Sequence, residues 1–197
     1  MGSPIESISS SKRALRESWK KSFPQDPDAR KSASLAICQT LINHSGFIQA
    51  PQIGLFAARI FEIDLLPLLA MAQKPYFFPK VDFSTRQLHF FSITQLDQLE
   101  MGAYGILEPK KGLPKAQWSP QDLILVPGFG FDVFGIRIGS GAGYYDRFFE
   151  SNPQLNRWGI GFHQQFHHQE LAHSSHDVRM QAIVTESGFF PAKKVES

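Results

Sequence analysis

The sequence predicts an α/β fold: a single domain with a central sheet, mixed or largely parallel, covered by helices on both faces. Short apolar segments typical of strands alternate along the chain with segments of helical periodicity, as they do in such sheets. The 197 residues contain no internal repeat and no low-complexity tract, and 42% of them are hydrophobic, enough to fill one core. We therefore expect one domain over residues 1–197.

The first half of the chain holds three predicted helices and three predicted strands. Serines at 9–11 offer N-cap oxygens to the first helix, in which Leu15 and Trp19 share a face. The second helix follows Asp28 and is expected to end before Gly46. The elements are a basic helix over about 10–23, a helix from 28 to about 43, a strand over 53–58, a helix over 65–72 with Pro67 in its first turn, a strand over 76–79 ended by its proline, and a strand over 87–93.

The second half of the chain contains the most apolar predicted strand, over 123–126, which follows a polar surface loop at 110–121. A long loop from 127 to 143 comes next, and a helix then runs through Tyr144. The remaining elements are strands over 158–162 and 182–185. Strands in both halves therefore contribute to one sheet.

Composition and charge exclude several classes of function. The net charge is only +2 and no run of Lys or Arg is present, so nucleic-acid binding is not expected. Cys38 is the only cysteine, too few for an intrachain disulfide or a structural zinc site built on thiolates. No apolar run is long enough to span a bilayer, and the N-terminus lacks the pattern of a signal peptide. We expect a cytoplasmic protein with neither nucleic-acid nor membrane partners.

The segment from Gly135 to Asp146, G-I-R-I-G-S-G-A-G-Y-Y-D, follows a buried strand and opens a helix. Glycines let a backbone approach a phosphate closely, and a helix N-terminus offers free N–H groups. Arg137 adds a charge for the same anion, and Asp146 a ligand for Mg²⁺. The spacing fits neither the P-loop nor the dinucleotide-binding pattern. On these residues alone, the segment is either an anion or nucleotide site or a tight structural turn.

Residues 122–147 together resemble the 5-formyltetrahydrofolate cyclo-ligase family, also called 5,10-methenyltetrahydrofolate synthetases. The combination D-L-I-x-V-P-G-x-x-F-D followed by G-x-R-x-G-x-G-x-G-Y-Y-D is far more specific than its glycines. Further segments similar to the family lie at 12–16, 61–64, 107–109, 176–178 and 182–186. The resemblance covers most of the chain, and it implies a three-layer α/β/α domain related to ribose-phosphate isomerase and CoA-transferase domains.

The resemblance implies an ATP-dependent ligase that closes a C–N ring. The reaction would be the ATP- and Mg²⁺-dependent conversion of 5-formyltetrahydrofolate to 5,10-methenyltetrahydrofolate, with release of ADP and phosphate. Phosphoryl transfer would activate the formyl oxygen, and the neighbouring folate nitrogen would then close the ring. Such a site needs phosphate-binding cations, a metal and a fixed folate more than a protein nucleophile. The partner implied is the folate, with or without a polyglutamate tail, bound by a monomer.

The same resemblance assigns the site residues. Lys12 and Arg137 are the catalytic cations, and Arg16 lies one helical turn from Lys12 and binds the same phosphates. Asp146 and Asp177 match the carboxylates that hold Mg²⁺. The other nucleotide contacts implied are Ile138, Gly139, Ser140, Gly141, Ala142, Gly143, Tyr144 and Tyr145. The folate contacts implied are Ala57, Glu62, Ser140, Gly141, Ala142, Gly143 and Tyr144.

Two loop positions depart from the family pattern. Family members often have a basic or aromatic residue at the position of Ser140 and glycine or lysine at that of Ala142. Neither residue here carries a charge, and Ala142 adds a methyl group that would be strained at a positive φ. Leu65 replaces the usual threonine after Asp64. A divergent homologue with another substrate therefore stays open, as does a non-catalytic folate-binding module. The retained phosphate cations and metal carboxylates favour an enzyme over such a module.

Overall fold

The computed structural model describes residues 4–20, 23–102 and 105–194. The helices are α1 (Pro4–Lys20), α2 (Pro27–Asn43), α3 (Ser45–Gln49), α4 (Leu68–Met71) and α5 (Tyr144–Ser151). The strands are β1 (Ile53–Gly54), β2 (Tyr76–Asp82), β3 (Gln87–Ile93), β4 (Leu99–Met101), β5 (Leu107–Pro109), β6 (Leu123–Pro127), β7 (Gly130–Asp132), β8 (Arg137–Ile138), β9 (Asn156–Ile160), β10 (Phe166–His167), β11 (Ala182–Thr185) and β12 (Gly188–Pro191). None of the described helices is long and apolar enough to cross a membrane.

The described residues form a seven-stranded central sheet in the order β12-β11-β9-β6-β1-β2-β3. Its five inner strands run parallel, and an antiparallel partner closes each edge. The strands that follow β1 in the chain, β2 and β3, are added on one side of it, whereas β6, β9, β11 and β12 are added on the other side. The direction in which strands are added therefore reverses between β1 and β6. Open α/β sheets bind ligands at such a reversal, beyond the carboxyl ends of the strands.

Apolar residues cover both faces of this sheet. Leu123 and Leu125 of β6 belong to the core that includes the buried face of α2, whereas Ile124 and Val126 belong to the core that includes α5. Alternate residues of one strand therefore fill opposite cores, as the pleat requires. The predicted three-layer α/β/α arrangement on a mixed, largely parallel sheet is confirmed. A single domain over residues 1–197 stays a prediction.

Among the predicted strand limits that were wrong, Pro79 explains two. The N–H of Leu55 donates to the carbonyl of Phe77 at 2.8 Å, and a parallel ladder would continue with a bond donated by residue 79. Pro79 has no N–H, so β1 stops at Gly54 instead of running to residue 58. On its other side Pro79 pairs opposite Phe90, where no N–H is needed, and β2 continues to Asp82. The chain after β1 is thereby released from the sheet.

Other differences from the predicted elements are local. α1 begins at Pro4 rather than near residue 10, because proline fits the first turn of a helix. Residues 21 and 22, predicted to end this helix, lie outside the described ranges. The predicted loop at 127–143 contains the antiparallel pair β7–β8. The buried Asp132 carboxylate closes this hairpin, since it accepts the N–H groups of Phe134 and Ile136, each at 2.9 Å.

Candidate active site

A cavity of about 310 Å³ opens where the strand order reverses, beyond the ends of β1 and β6. This volume suits a small-molecule site. Predicted site residues from four separate segments of the chain line it: Lys12, Arg16, Ala57, Glu62, Arg137, Ile138, Gly139, Ser140, Gly141, Gly143, Tyr144, Tyr145, Asp146 and Asp177. Ala142 is the one predicted residue that is absent from the lining. The sequence prediction therefore converges on one cavity.

Arg137 lies at the base of this cavity, on β8, and is only 8% exposed. Its Nη2 lies 3.2 and 3.1 Å from the two carboxylate oxygens of Asp146, and its Nη1 lies 3.4 Å from the carbonyl oxygen of Pro127. Its Nε is buried and has no hydrogen-bond partner among the described residues. Gly139 makes room for the guanidinium, because a Cβ there would lie 2.4 Å from Nη1. Arg137 thus retains N–H groups that neither Asp146 nor Pro127 binds, and these could serve an anion in the cavity.

The second predicted metal carboxylate, Asp177, is bound by Lys12 of α1. Its Oδ2 accepts bonds from the Lys12 ammonium and from the backbone N–H of Ser174, the latter at 2.6 Å. Burial alone would raise the pKa of Asp177, but the bonds from Lys12 and Ser174 outweigh burial and hold this pKa below its usual value. Asp177 is therefore ionised at neutral pH and faces the cavity.

α1 also contributes Arg16, one turn beyond Lys12. The Nε of Arg16 donates to the carbonyl of Gly139 at 2.7 Å, which ties the helix to the glycine loop. Burial lowers the pKa of Arg16 from its usual value; the charge of Asp177 opposes this shift, and the charge of Arg137 adds to it. Two like charges held near one another in a partly buried cavity favour the binding of an anion between them.

The backbone of the glycine loop corrects the expectation about Ala142. Gly141 and Gly143 have positive φ values of 99° and 68°, whereas the only non-glycine residue with a positive φ in the described ranges is Arg86. The methyl group of Ala142 therefore meets no backbone strain. Gly143 is the N-cap of α5 and provides no side-chain bond to its first turn, so N–H groups there are available to a ligand.

Glu62 lies on another wall of the cavity, in the segment that Pro79 releases from the sheet. Its Oε2 accepts the backbone N–H of Arg59 at 2.9 Å. Burial raises the pKa of Glu62, although the N–H and the charge of Arg59 act in the opposite direction. Sequence reasoning did not identify Arg59 or Glu108, which also line the cavity. Arg59 could have been predicted to line the cavity, because it lies only three residues before Glu62.

The side chains present fit both groups that the sequence resemblance implies. The unpartnered Nε of Arg137 and the glycine loop fit the phosphates of a nucleotide. The carboxylates of Asp146 and Asp177 are hard oxygen donors of the kind that Mg²⁺ takes, usually together with phosphate oxygens and water. No group of three or more His, Cys, Asp or Glu residues in the described ranges could hold a metal ion. A cation in this cavity would therefore need oxygen ligands from the nucleotide or from water.

Comparison with known proteins gives the same family as the sequence resemblance, over most of the chain. Residues 8–186 match the model of the 5-formyltetrahydrofolate cyclo-ligase family. The chain is 24% identical to the mouse 5-formyltetrahydrofolate cyclo-ligase, an alignment that covers 91% of this chain and 95% of the relative. It is 25% identical to the mitochondrial enzyme of that name from Arabidopsis thaliana, over 95% of this chain and 78% of the relative.

The fold has a solved counterpart as well. The NMR structure of Aquifex aeolicus 5,10-methenyltetrahydrofolate synthetase superimposes with a TM-score of 0.78 at 26% identity, covering 94% of this chain and 95% of that one. The agreement extends over nearly the full length of both chains.

Proposed function

This chain belongs to the 5-formyltetrahydrofolate cyclo-ligase family, and we propose that it uses ATP and Mg²⁺ to convert 5-formyltetrahydrofolate to 5,10-methenyltetrahydrofolate, releasing ADP and phosphate. The interconversion of these folates is what the family indicates; the use of ATP and Mg²⁺ is our proposal. One observation supports it above all. Three cations, a glycine loop and two carboxylates converge on one cavity at the reversal of the sheet.

The phosphates would lie against the glycine loop. Arg137 would bind them through its free Nε, while Lys12 and Arg16 would bind them from α1. Charge on the transferred phosphoryl group is thereby neutralised by fixed cations, the main demand of phosphoryl transfer. Asp146 and Asp177 would hold Mg²⁺, which when bound neutralises phosphate charge and orients the triphosphate.

The folate would occupy the rest of the cavity. The Glu62 carboxylate is suited to accept the paired N–H groups of the pterin, and apolar side chains including Phe129 line the same space. The formyl oxygen of the substrate would attack the terminal phosphorus of ATP, and ADP would leave. The neighbouring folate nitrogen would then attack the formyl carbon and lose its proton as phosphate departs with the former formyl oxygen.

No protein nucleophile is needed for these steps. Cys38, the only cysteine, is buried in the core outside the cavity, and burial raises the pKa of its thiol to about 12. The chain instead supplies position and charge. We further propose that the protein acts as a monomer, since all the site residues named above come from one chain. We also propose that it acts in the cytoplasm, although the Arabidopsis relative is named mitochondrial.

An absorbance assay tests the proposal. Purified protein is mixed with 5-formyltetrahydrofolate and Mg²⁺, with and without ATP, and the absorbance of the methenyl product is followed. We expect a signal that depends on ATP and disappears when Mg²⁺ is chelated. Failure of ATP to produce any signal would contradict the proposal, and folate binding without turnover would identify a binding module instead.

A further inference from the structure

Arg147, in the first turn of α5, lies behind the glycine loop and outside the catalytic cavity. Its Nη2 donates to the carbonyl of Ala142 at 2.9 Å, and its Nε donates to the carbonyl of Arg86 at 3.1 Å. Its guanidinium carbon also lies 5.2 Å from the centre of the Tyr144 ring. One side chain thus joins the loop to the turn between β2 and β3.

Both ends of this contact are locally unfavourable. A cation near a helix N-terminus is repelled by the helix dipole, and Arg147 is in the first turn of α5. Arg86 has a φ of 56°, the only positive φ outside glycine in the described ranges. Such features persist only where the surrounding contacts hold them in place. The two features meet at the Arg147 side chain.

The bond to Ala142 fixes the direction of one loop peptide. In a trans peptide the C=O and the following N–H point in opposite directions. With the carbonyl of Ala142 held by Arg147 behind the loop, the N–H of Gly143 points away from Arg147. Gly143 lines the catalytic cavity, and Ala142 does not. Gly143 has a φ of 68°, a conformation that favours glycine, and a Cβ there would lie 2.9 Å from Nη1 of Arg147.

We propose that Arg147 is a positioning residue for the nucleotide: it turns the peptide between Ala142 and Gly143 so that the Gly143 N–H faces the bound phosphates. This inference rests on the proposed function. It also accounts for a loop without a basic side chain at Ser140 or Ala142, since a preorganised N–H replaces part of the missing charge. Arg16 holds the carbonyl of Gly139 in the same manner at the other end of the loop.

Arginine is better suited than lysine to these two bonds. Its planar guanidinium holds two donor atoms in a fixed geometry, so it can bond both carbonyl groups while it lies over Tyr144. The donors of a lysine ammonium all lie on one nitrogen atom. Arg147→Lys keeps the charge and removes the planar guanidinium. Arg86→Gly keeps the accepting carbonyl and removes the positive-φ strain, so it provides a matched control outside the site.

The test uses the full-length chain and measures KM for ATP, KM for 5-formyltetrahydrofolate, Kd for ADP and thermal unfolding. For Arg147→Ala and Arg147→Lys we expect KM for ATP and Kd for ADP to rise about tenfold, the scale of one hydrogen bond to a charged group. KM for the folate should rise much less. Arg86→Gly should bind ATP as the unsubstituted protein does and unfold at the same or a higher temperature.

Unchanged ADP affinity in both Arg147 variants would overturn the inference. So would equal increases in the two KM values accompanied by a lower unfolding temperature, because Arg147 would then serve stability alone. If the unsubstituted protein showed no ATP-dependent turnover, the proposed function would fail, but the ADP titration would still decide about Arg147. Weaker ADP binding by Arg147→Ala would then uphold its role, and a parent chain that binds no ADP would refute it.

Discussion

Arg137 and Asp146 pair across the base of the glycine loop, with Nη2 of the arginine 3.1 and 3.2 Å from the two carboxylate oxygens. The contact joins β8 to the first turn of α5, so it fixes both ends of the loop at once. A cation proposed to bind phosphate and a carboxylate proposed to bind Mg²⁺ therefore already hold each other in place. Substitution of either residue affects the other.

Arg137→Leu is expected to abolish measurable turnover and to destabilise the protein. It removes a phosphate cation and leaves Asp146, whose side chain is 23% exposed, without its partner. Loss of one member of a fully buried ion pair costs about 3–5 kcal/mol; because Asp146 is partly exposed, we expect a loss below that range, which urea unfolding would measure. Arg137→Lys keeps the charge, and we expect it to retain a larger share of the parent protein's stability than of its activity. A leucine variant with full activity would show that Arg137 does not contact the phosphates.

Lys12→Ala is expected to weaken ATP binding by about a hundredfold, the upper range for a bond between charged groups, and to leave the fold intact. Lys12 lies on α1 at the cavity and contacts Asp177, not the core. Titration with ATP and circular dichroism would measure the two effects. Unchanged nucleotide affinity would show that α1 is not part of the nucleotide site.

The contact of Lys12 with Asp177 also predicts a pH dependence. Because the folded-state pKa of Asp177 is lowered, its contribution to stability is present above the ordinary carboxyl pKa of about 3.9 and is lost as pH falls through the lower value. The unfolding temperatures of the parent protein and Lys12→Ala should therefore differ at neutral pH and converge in acid. A difference that stayed constant below about pH 3 would contradict this account.

Glu62→Gln is expected to stabilise the protein while weakening folate binding. The raised pKa of Glu62 means that its contribution to stability is fully present below the unfolded pKa and is lost as pH rises through the folded value. At neutral pH the partly buried carboxylate therefore costs stability, and the glutamine variant should unfold at a higher temperature. The difference should close as pH falls to about 4.

The same substitution should raise KM for 5-formyltetrahydrofolate about ten- to a hundredfold, since one charged acceptor is lost. In the parent protein this KM should rise as acid protonates Glu62, at a pH above the range of an ordinary glutamate. In Glu62→Gln it should not change over that interval. Steady-state kinetics of both proteins against pH would measure the effect, and identical profiles would exclude Glu62 from the folate site.

What the sequence predicts best is what one continuous segment determines. The glycine loop could be located because its glycines, Arg137 and Asp146 stand within twelve residues. The contact between Lys12 and Asp177 joins residues 165 apart, and no local pattern around either one indicates it. The β7–β8 hairpin was missed because its strands are too short to show alternation, and it depends on the buried carboxylate of Asp132.

Gly141→Ala is expected to raise KM for ATP about tenfold, whereas Ala142→Gly should leave it unchanged. Gly141 has a φ of 99°, where an alanine is strained, and a Cβ there would lie 3.4 Å from Cζ of Arg16. Ala142 needs no positive φ and lies outside the cavity lining. The free energy of unfolding of Ala142→Gly should be only about 0.5–1 kcal/mol lower, because a glycine loses more conformational entropy on folding. A gain in ATP affinity by Ala142→Gly would mean that the methyl group obstructs the loop.

The last prediction concerns Trp19, which anchors α1 and is 7% exposed. Its ring stacks on that of His167 with centroids 4.6 Å apart, and it occupies the space above Gly130, where a Cβ would lie 2.1 Å from Cζ3. Burial lowers the pKa of His167, so this ring stays neutral at neutral pH and stacks as an apolar surface. Lys12 and Arg16 project from the same helix.

Gly130→Ala should expel the Trp19 ring and displace both cations of α1, although it alters no residue of the cavity lining. We expect KM for ATP to rise about tenfold, as for the loss of one charged contact, with KM for 5-formyltetrahydrofolate nearly unchanged. Trp19→Ala should behave in the same way, and Trp19→Phe should recover part of the affinity because it keeps a ring over His167. Tryptophan fluorescence would report the displacement in Gly130→Ala. If the ring moved and KM for ATP did not, the position of α1 would have to be set by Lys12 and Arg16 themselves, through Asp177 and Gly139.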